Sequence, residues 1–151
     1  MTRVAVALGS NLGDRRAHLT FAIARLAGLL AGLTVSSFHD TEPVGVGPQP
    51  RFLNGAAVGE TTDSARAVLE ALLAIEGERG RERPHPGAAR PLDLDLVLFG
   101  DARIDEPGLV VPHPRFRERR FVLEPLAEIA PAMRDPVTGL TVAELLGRLG
   151  S

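Results

Sequence analysis

Asp93 and Asp95 stand two residues apart in the stretch Arg90-Pro91-Leu92-Asp93-Leu94-Asp95-Leu96-Val97-Leu98-Phe99-Gly100. The alternation of leucine and aspartate predicts a strand from Leu92 to Phe99, closed by a turn at Gly100-Asp101. Side chains two apart on a strand share a face. The two carboxylates therefore lie side by side, while Leu92, Leu94 and Leu96 enter the core from the other face. Adjacent anions on a half-buried strand repel, and a shared proton or a cation relieves them. Hard oxygen ligands of this kind suit Mg²⁺, which takes one or two carboxylates and completes its shell with water and substrate phosphates. A solvated strand face carrying two aspartates by chance is the plainer alternative. It ranks second, because aspartate is disfavoured in strands and an arginine-rich loop leads directly into this one.

A second arginine-rich stretch lies beyond the strand. Arg81-Glu82-Arg83-Pro84-His85-Pro86-Gly87-Ala88-Ala89-Arg90 precedes the aspartates, and Pro112-His113-Pro114-Arg115-Phe116-Arg117-Glu118-Arg119-Arg120-Phe121 follows them. Charge runs are usually solvated faces. On both sides of paired carboxylates they compose a metal-plus-arginine clamp for phosphate. The chain has no lysine, and all 17 basic residues are arginine. That excludes the lysine of Walker-type phosphate loops and the strand lysine of protein kinases. Arginine forks and metal are left to handle any nucleotide phosphates.

The rest of the composition narrows the class. With 151 residues, 44% of them hydrophobic, one domain spanning residues 1–151 is expected, with a real core. A net charge of −2 and 4% aromatic content speak against nucleic acid or an anionic membrane as a partner. There is no cysteine, hence no disulfide, thiolate metal site or thiol nucleophile. The apolar run Val4 to Leu8 is too short for a signal peptide or a membrane span, and the cytoplasm is the expected compartment.

These residues need elements to carry them. Val4 to Leu8 predicts a first strand, ending in Gly9-Ser10-Asn11-Leu12-Gly13-Asp14, whose glycines lack the dinucleotide-binding spacing. Asn11 or Asp14 caps a helix with the stripe Leu19, Ile23, Leu26, Leu30 and Leu33. His18, in its first turn, reads as a surface residue. Leu33 to His39 predicts a second strand, followed by a proline- and glycine-rich loop from Thr41 to Pro50. Arg51 to Thr61 predicts a third strand. Phe52, Asn54, Ala56 and Val58 share one of its faces; Leu53, Gly55, Ala57 and Gly59 share the other, where small residues admit a closely packed helix. Phe52 beside Asn54 sets an aromatic plate next to an amide, which fits a ligand pocket and, equally, a core phenylalanine with an edge-strand asparagine. Asp63 or Ser64 caps a second helix running to about Arg79, with Gly80 as its stop. Glu76 falls on its apolar side, and taken alone reads as a rim residue. After the aspartate strand come a hairpin around Asp105-Glu106-Pro107-Gly108, a short helix from Val122 to Ile129, a turn at Pro136 to Gly139 and a last helix from Thr141 to Leu149.

The order strand, helix, strand, strand, helix, strand predicts an α+β fold. It is the ferredoxin-like arrangement, an antiparallel four-stranded sheet with two helices on one face, here with a C-terminal hairpin and short-helix appendage. Such a fold names no function.

The residues themselves carry a resemblance. Gly9-Ser10-Asn11-Leu12-Gly13-Asp14, Phe52-Leu53-Asn54, Glu76 with Gly80-Arg81, Arg90-Pro91-Leu92-Asp93-Leu94-Asp95 with Leu98-Phe99-Gly100, and Val111-Pro112-His113-Pro114 with Arg119 and Phe121 resemble one family. It is the 6-hydroxymethyl-7,8-dihydropterin pyrophosphokinase family of folate biosynthesis, and the resemblance covers nearly the whole chain. It implies transfer of the β,γ-pyrophosphoryl group of ATP to the pterin hydroxymethyl group, giving AMP. Asp93 and Asp95 would hold two Mg²⁺ ions bridging the ATP phosphates and the attacking hydroxyl. Arg81 and Arg90 would contact the transferring phosphates. His113 and Arg119 would hold the triphosphate, with Glu76, Arg83 and Leu96 also on the ATP side. Phe52 and Phe121 would sandwich the pterin by offset stacking, with Asn54 reading its amide-like edge and Thr41, Val44 and Asp93 in the same pocket. A monomer is expected.

The chain departs from its likenesses at a few places. Some relatives carry a tryptophan before the aspartates where Gly87 falls here, and Leu73, Gly108 and Val110 stand where polar or basic residues occur. Gly45 to Pro50 and Arg83 to Ala89, rich in glycine and proline, are expected to act as mobile lids. Two other classes compete: a ferredoxin-like binding module and a palm-like two-metal nucleotidyl-transfer domain. Tight RNA or DNA binding would favour either, and pterin-dependent AMP formation excludes both.

Overall fold

Every residue from Val4 to Leu8 is buried, so the first strand has no solvent face and must be covered on both sides. In the computed structural model, which describes residues 1–42, 50–80 and 91–149, this strand is β1 (Thr2–Ser10), inside the sheet. The other elements follow as α1 (Arg15–Leu29), β2 (Ala31–Val35), β3 (His39–Thr41), β4 (Phe52–Thr61), α2 (Ala65–Glu78), β5 (Asp93–Phe99), β6 (Ile104–Glu106), β7 (Leu109–Val111), α3 (Arg120–Ile129) and α4 (Val142–Leu149). The main sheet is antiparallel in the order β2-β4-β1-β5, with β3 also paired to β4; β6 and β7 form a separate ribbon.

The period of two divides the sheet residues between two cores. On one face Val4, Val6, Leu8, Leu53, Ala57, Leu94 and Leu96 pack with Leu19, Ala22 and Leu26 of α1 and Val68, Leu72 and Ile75 of α2. Gly59 is required there: a Cβ on it would lie 2.7 Å from Cβ of Leu30, so the end of α1 rests on bare backbone. Asp14 caps α1 by accepting the Ala17 N–H at 3.1 Å, and Ser64 caps α2 through the Ala67 N–H at 3.1 Å. Asn11, the other candidate cap, is instead fully buried, and its side chain reaches the Pro50 carbonyl at 3.5 Å.

The opposite face carries Ala5, Ala7, Ala56, Val58, Val97 and Leu98 against Val122, Leu123 and Leu126 of α3 and Val142 and Leu145 of α4. The C-terminal helices are therefore a second covering layer, where the sequence predicts an appendage. Small alanines on β1 and β4 let α3 lie close. Thr141 and Glu144 form a reciprocal capping box at α4, with N–H to side-chain oxygen distances of 2.9 and 3.1 Å.

Two irregularities shape the sheet. The predicted strand from Leu33 to His39 is broken into β2 and β3, and Leu33 belongs to β2, not to the helix stripe. In β5, Val6 pairs with Leu96 but Ala5 with Leu98, which leaves Val97 as an extra residue. This bulge turns Val97 and Leu98 both toward the second core.

Candidate active site

Small residues on β1 make the floor of the site. Gly9 pairs with Asn54 on β4 and with Asp93 on β5, and Ala7 pairs with Ala56 and Asp95. Asn54, Gly9 and Asp93 thus form one cross-strand row, on the face that carries Ala7 and Ala56. A side chain on Gly9 would intrude here: its Cβ would lie 3.0 Å from Asn54 Oδ1 and 3.7 Å from the Phe52 ring. The result is an amide and an aromatic ring on one side of a bare strip of backbone, and two half-buried carboxylates on the other.

The amide side is fixed by β3. Thr41 pairs with Phe52 and His39 with Asn54, and the Asn54 amide donates to Thr41 Oγ1 at 2.5 Å. Asn54 is 5% exposed, so its orientation is held by this bond.

The carboxylate side is braced from both ends. Glu76 does not sit on the rim: it is 2% exposed, and Oε2 accepts the Leu94 N–H, between the two aspartates, at 2.6 Å. Past the cis Val111–Pro112 bond, the His113 N–H donates to the Val97 carbonyl at 3.0 Å, so the bulge sets the position of this histidine. Burial pushes the His113 imidazole below its ordinary pKa; Arg119 and Arg115 add to this, while Asp93 opposes them. The imidazole is thus neutral near pH 7, its Nδ1 accepting the Arg115 N–H at 3.2 Å. Arg119 is the residue just before α3, its guanidinium 5.5 Å from the centre of the Phe121 ring. Phe121 is half-buried against the second core.

Asp93, Asp95, His113 and Arg119 therefore gather on one side of the sheet face, and Thr41, Phe52 and Asn54 on the other. Leu96 does not join them by its side chain, which is 5% exposed in the core under α2. Val44, Arg81, Arg83 and Arg90, and the expected lids apart from Pro50, lie outside the described residues. Among the described residues, no three acidic or histidine side chains converge on one point. Two adjacent carboxylates are hard oxygen donors that fit Mg²⁺, which keeps waters and phosphate oxygens in its shell. Sequence reasoning missed the place of Gly9, for which its position directly after the apolar run Val4 to Leu8 was the available signal. A polar cleft of about 440 Å³ on the other face lies apart from the carboxylates; its Arg15 is engaged by Asp40, and its Arg16 stacks on Phe38.

A sheet face with paired carboxylates beside arginine and histidine is that of an α+β phosphotransfer enzyme. Residues 5–131 match the profile of 7,8-dihydro-6-hydroxymethylpterin-pyrophosphokinase, and the chain belongs to this family. It is 43% identical over 146 residues to the 2-amino-4-hydroxy-6-hydroxymethyldihydropteridine pyrophosphokinase of Pseudomonas aeruginosa, covering 95% of this chain and 90% of that one. The protein of the same name from Bacillus subtilis is 42% identical over 135 residues, or 88% of this chain and 81% of the other. A crystal structure of an HPPK-DHPS protein in complex with substrates superposes with a TM-score of 0.81 at 12% identity, which speaks for the fold. This chain is covered to 97% in that comparison and spans 43% of the longer one.

Proposed function

We propose that this protein transfers pyrophosphate from ATP to 6-hydroxymethyl-7,8-dihydropterin, as the names of its relatives describe. The pterin hydroxyl oxygen bonds to the β-phosphorus as the bond from that phosphorus to the α,β-bridging oxygen breaks. AMP leaves with the bridging oxygen, the hydroxyl proton passes to solvent, and the pterin diphosphate remains. The observation that carries the reading is the row Asn54–Gly9–Asp93, which sets the Asn54 amide and the carboxylate pair on one sheet face.

Asn54, held by Thr41, reads the amide-like edge of the pterin, and Phe52 and Phe121 stack on its faces. The helix stripe supports this placement. Phe121, Glu124 and Glu128 follow the i, i+3, i+7 spacing of one helix face, and Glu124 and Glu128 both face His39, at 3.9 and 3.1 Å. Continuing that stripe by one turn brings Phe121 toward Thr41 and Phe52. Asp93 and Asp95 would hold two Mg²⁺ ions, which when bound would neutralise phosphate charge and favour loss of the hydroxyl proton. His113, Arg119, Arg81, Arg83 and Arg90 bind and orient the phosphates, and Glu76 serves the ATP side by holding the aspartate strand. Val44 lines the pterin pocket, and Leu96 meets the nucleotide through its backbone alone.

The strand order supports a ferredoxin-like core extended by α3 and α4. We read residues 1–151 as one domain, monomeric and cytoplasmic, with neither nucleic acid nor membrane as a partner. Among the described residues no helix is long and apolar enough to cross a membrane.

The test is AMP formation from ATP and Mg²⁺ with and without the pterin, alongside Asp95→Ala. Pterin-dependent AMP that vanishes in the variant supports the reading. Pterin-independent turnover, or tight RNA binding without turnover, returns the question to the binding-module and palm-like classes.

A further inference from the structure

A polar cluster outside the carboxylate face joins α3 to the bend between β2 and β3. Val35 pairs with Ala57, and His39 with Asn54, so a step of four residues on one strand meets a step of three on the other. The bend is a β-bulge carrying one extra residue. In an unbroken register His39 would oppose Leu53, and both His39 and Thr41 would turn to the face covered by α1 and α2. The extra residue turns them to the Asn54 face, where Thr41 fixes the Asn54 amide.

A bulge leaves backbone groups outside the ladder, and two side chains take them up here. Ser36 stays on β4, donating its N–H to the Ala56 carbonyl at 2.9 Å and accepting the Ala56 N–H at Oγ at 2.9 Å. Ser37 turns to α3 instead. Glu128 accepts its N–H at 2.7 Å and its hydroxyl at 2.8 Å, and accepts from His39 Nε2 at 3.1 Å. Three donors on one carboxylate pin the helix to the bulge across 91 residues of chain. Glu128 stands two helical turns from Phe121 on the same face.

We propose that Glu128 is a positioning residue for the pterin subsite, setting both the bulge that aims Thr41 at Asn54 and the placement of α3 that carries Phe121. The subsite assignment rests on the pyrophosphokinase reading; the clamp itself does not.

Two measurements separate them, on Glu128→Ala and on Glu128→Gln, whose amide oxygen still accepts from the Ser37 N–H. In ligand-free protein, Glu128→Ala speeds exchange of the Ser37 amide proton about tenfold and moves the Asn54 side-chain amide resonances. No change in either overturns the clamp. In titrations, Glu128→Ala weakens pterin binding about tenfold and Glu128→Gln about threefold, while ATP affinity stays within about twofold in both. A lower melting temperature with pterin affinity intact, or equal weakening of both substrates, overturns the positioning role. A wild-type protein that protects the Ser37 amide yet binds no pterin overturns the pyrophosphokinase reading and the subsite assignment together.

Discussion

The carboxylate of Glu76 accepts the backbone N–H of Leu94 at 2.6 Å, joining α2 to the residue between Asp93 and Asp95. β5 is the outer strand of its sheet, where a buried backbone donor without a strand partner needs another acceptor. Glu76→Ala strands that donor, at about 1–3 kcal/mol, and leaves a cavity besides. Chemical denaturation is expected to show a loss of about 3 kcal/mol, with Glu76→Gln recovering at least half of it. An alanine variant as stable as wild type would remove Glu76 from any structural role.

Gly9 is the second position where one substitution is informative. A Cβ there meets Asn54 Oδ1 at 3.0 Å, so the amide must shift by a few tenths of an ångström. Gly9→Ala is expected to raise the pterin KM about tenfold, a change worth about 1.4 kcal/mol, with ATP KM little altered. Steady-state kinetics with each substrate varied in turn checks this. An ATP effect of equal size would mean general distortion of β1.

Removing either charge of the carboxylate pair tests the metal. Asp93→Asn and Asp95→Asn are each expected to lower AMP formation by roughly 10²–10³. They should also abolish the stabilisation that Mg²⁺ adds to ATP binding in a thermal-shift titration. Retention of that Mg²⁺-dependent shift in both variants would move the metal elsewhere.

The C-terminal layer carries its own pH signature. Asp135, fully buried, accepts from Arg117 at 2.6 and 3.0 Å, from the Thr138 hydroxyl at 2.7 Å and from the Val137 N–H at 3.0 Å. Burial alone would push its carboxyl up, but these four donors outweigh it and hold the pKa at about 2. A folded pKa below the unfolded value of 3.8 stabilises the fold at higher pH. That contribution, about 2 kcal/mol, is complete above about pH 4 and lost as pH falls toward 2. Glu128, held at about 2 by the Ser37 N–H, His39 and the Ser37 hydroxyl, acts in the same direction, reduced by its exposure. Stability curves from pH 6 to 2 should be shallower at the acid end for Asp135→Asn. An unchanged slope would exclude this ion pair as a source of acid sensitivity.

Local periodicity made much of the site legible. Alternation separates Asp93 and Asp95 from the leucines, and it pairs Phe52 with Asn54, because a strand's period of two holds whatever the strand packs against. The helix stripes and the caps at Asp14 and Ser64 are equally local, resting on contacts three or four residues apart. The resemblance to the pterin pyrophosphokinases also rests on residue types alone, and the family match agrees with it.

What the tertiary structure decided lies between residues far apart in the chain. Glu76 has the spacing of a rim residue and becomes buried because an outer strand offers it a donor. The apolar stripes of α3 and α4 say that the helices cover something, but which sheet face they cover depends on the alanines of β1 and β4. The bulges at Ser36–Ser37 and Val97 leave no periodic trace, since each is one residue of misfit between two strands whose register neither strand encodes alone. They nonetheless aim Thr41 at Asn54 and place His113 beside Asp93. The sequence by itself determined which residues are the candidates to bear the chemistry, and pairing between distant segments decided how they face one another.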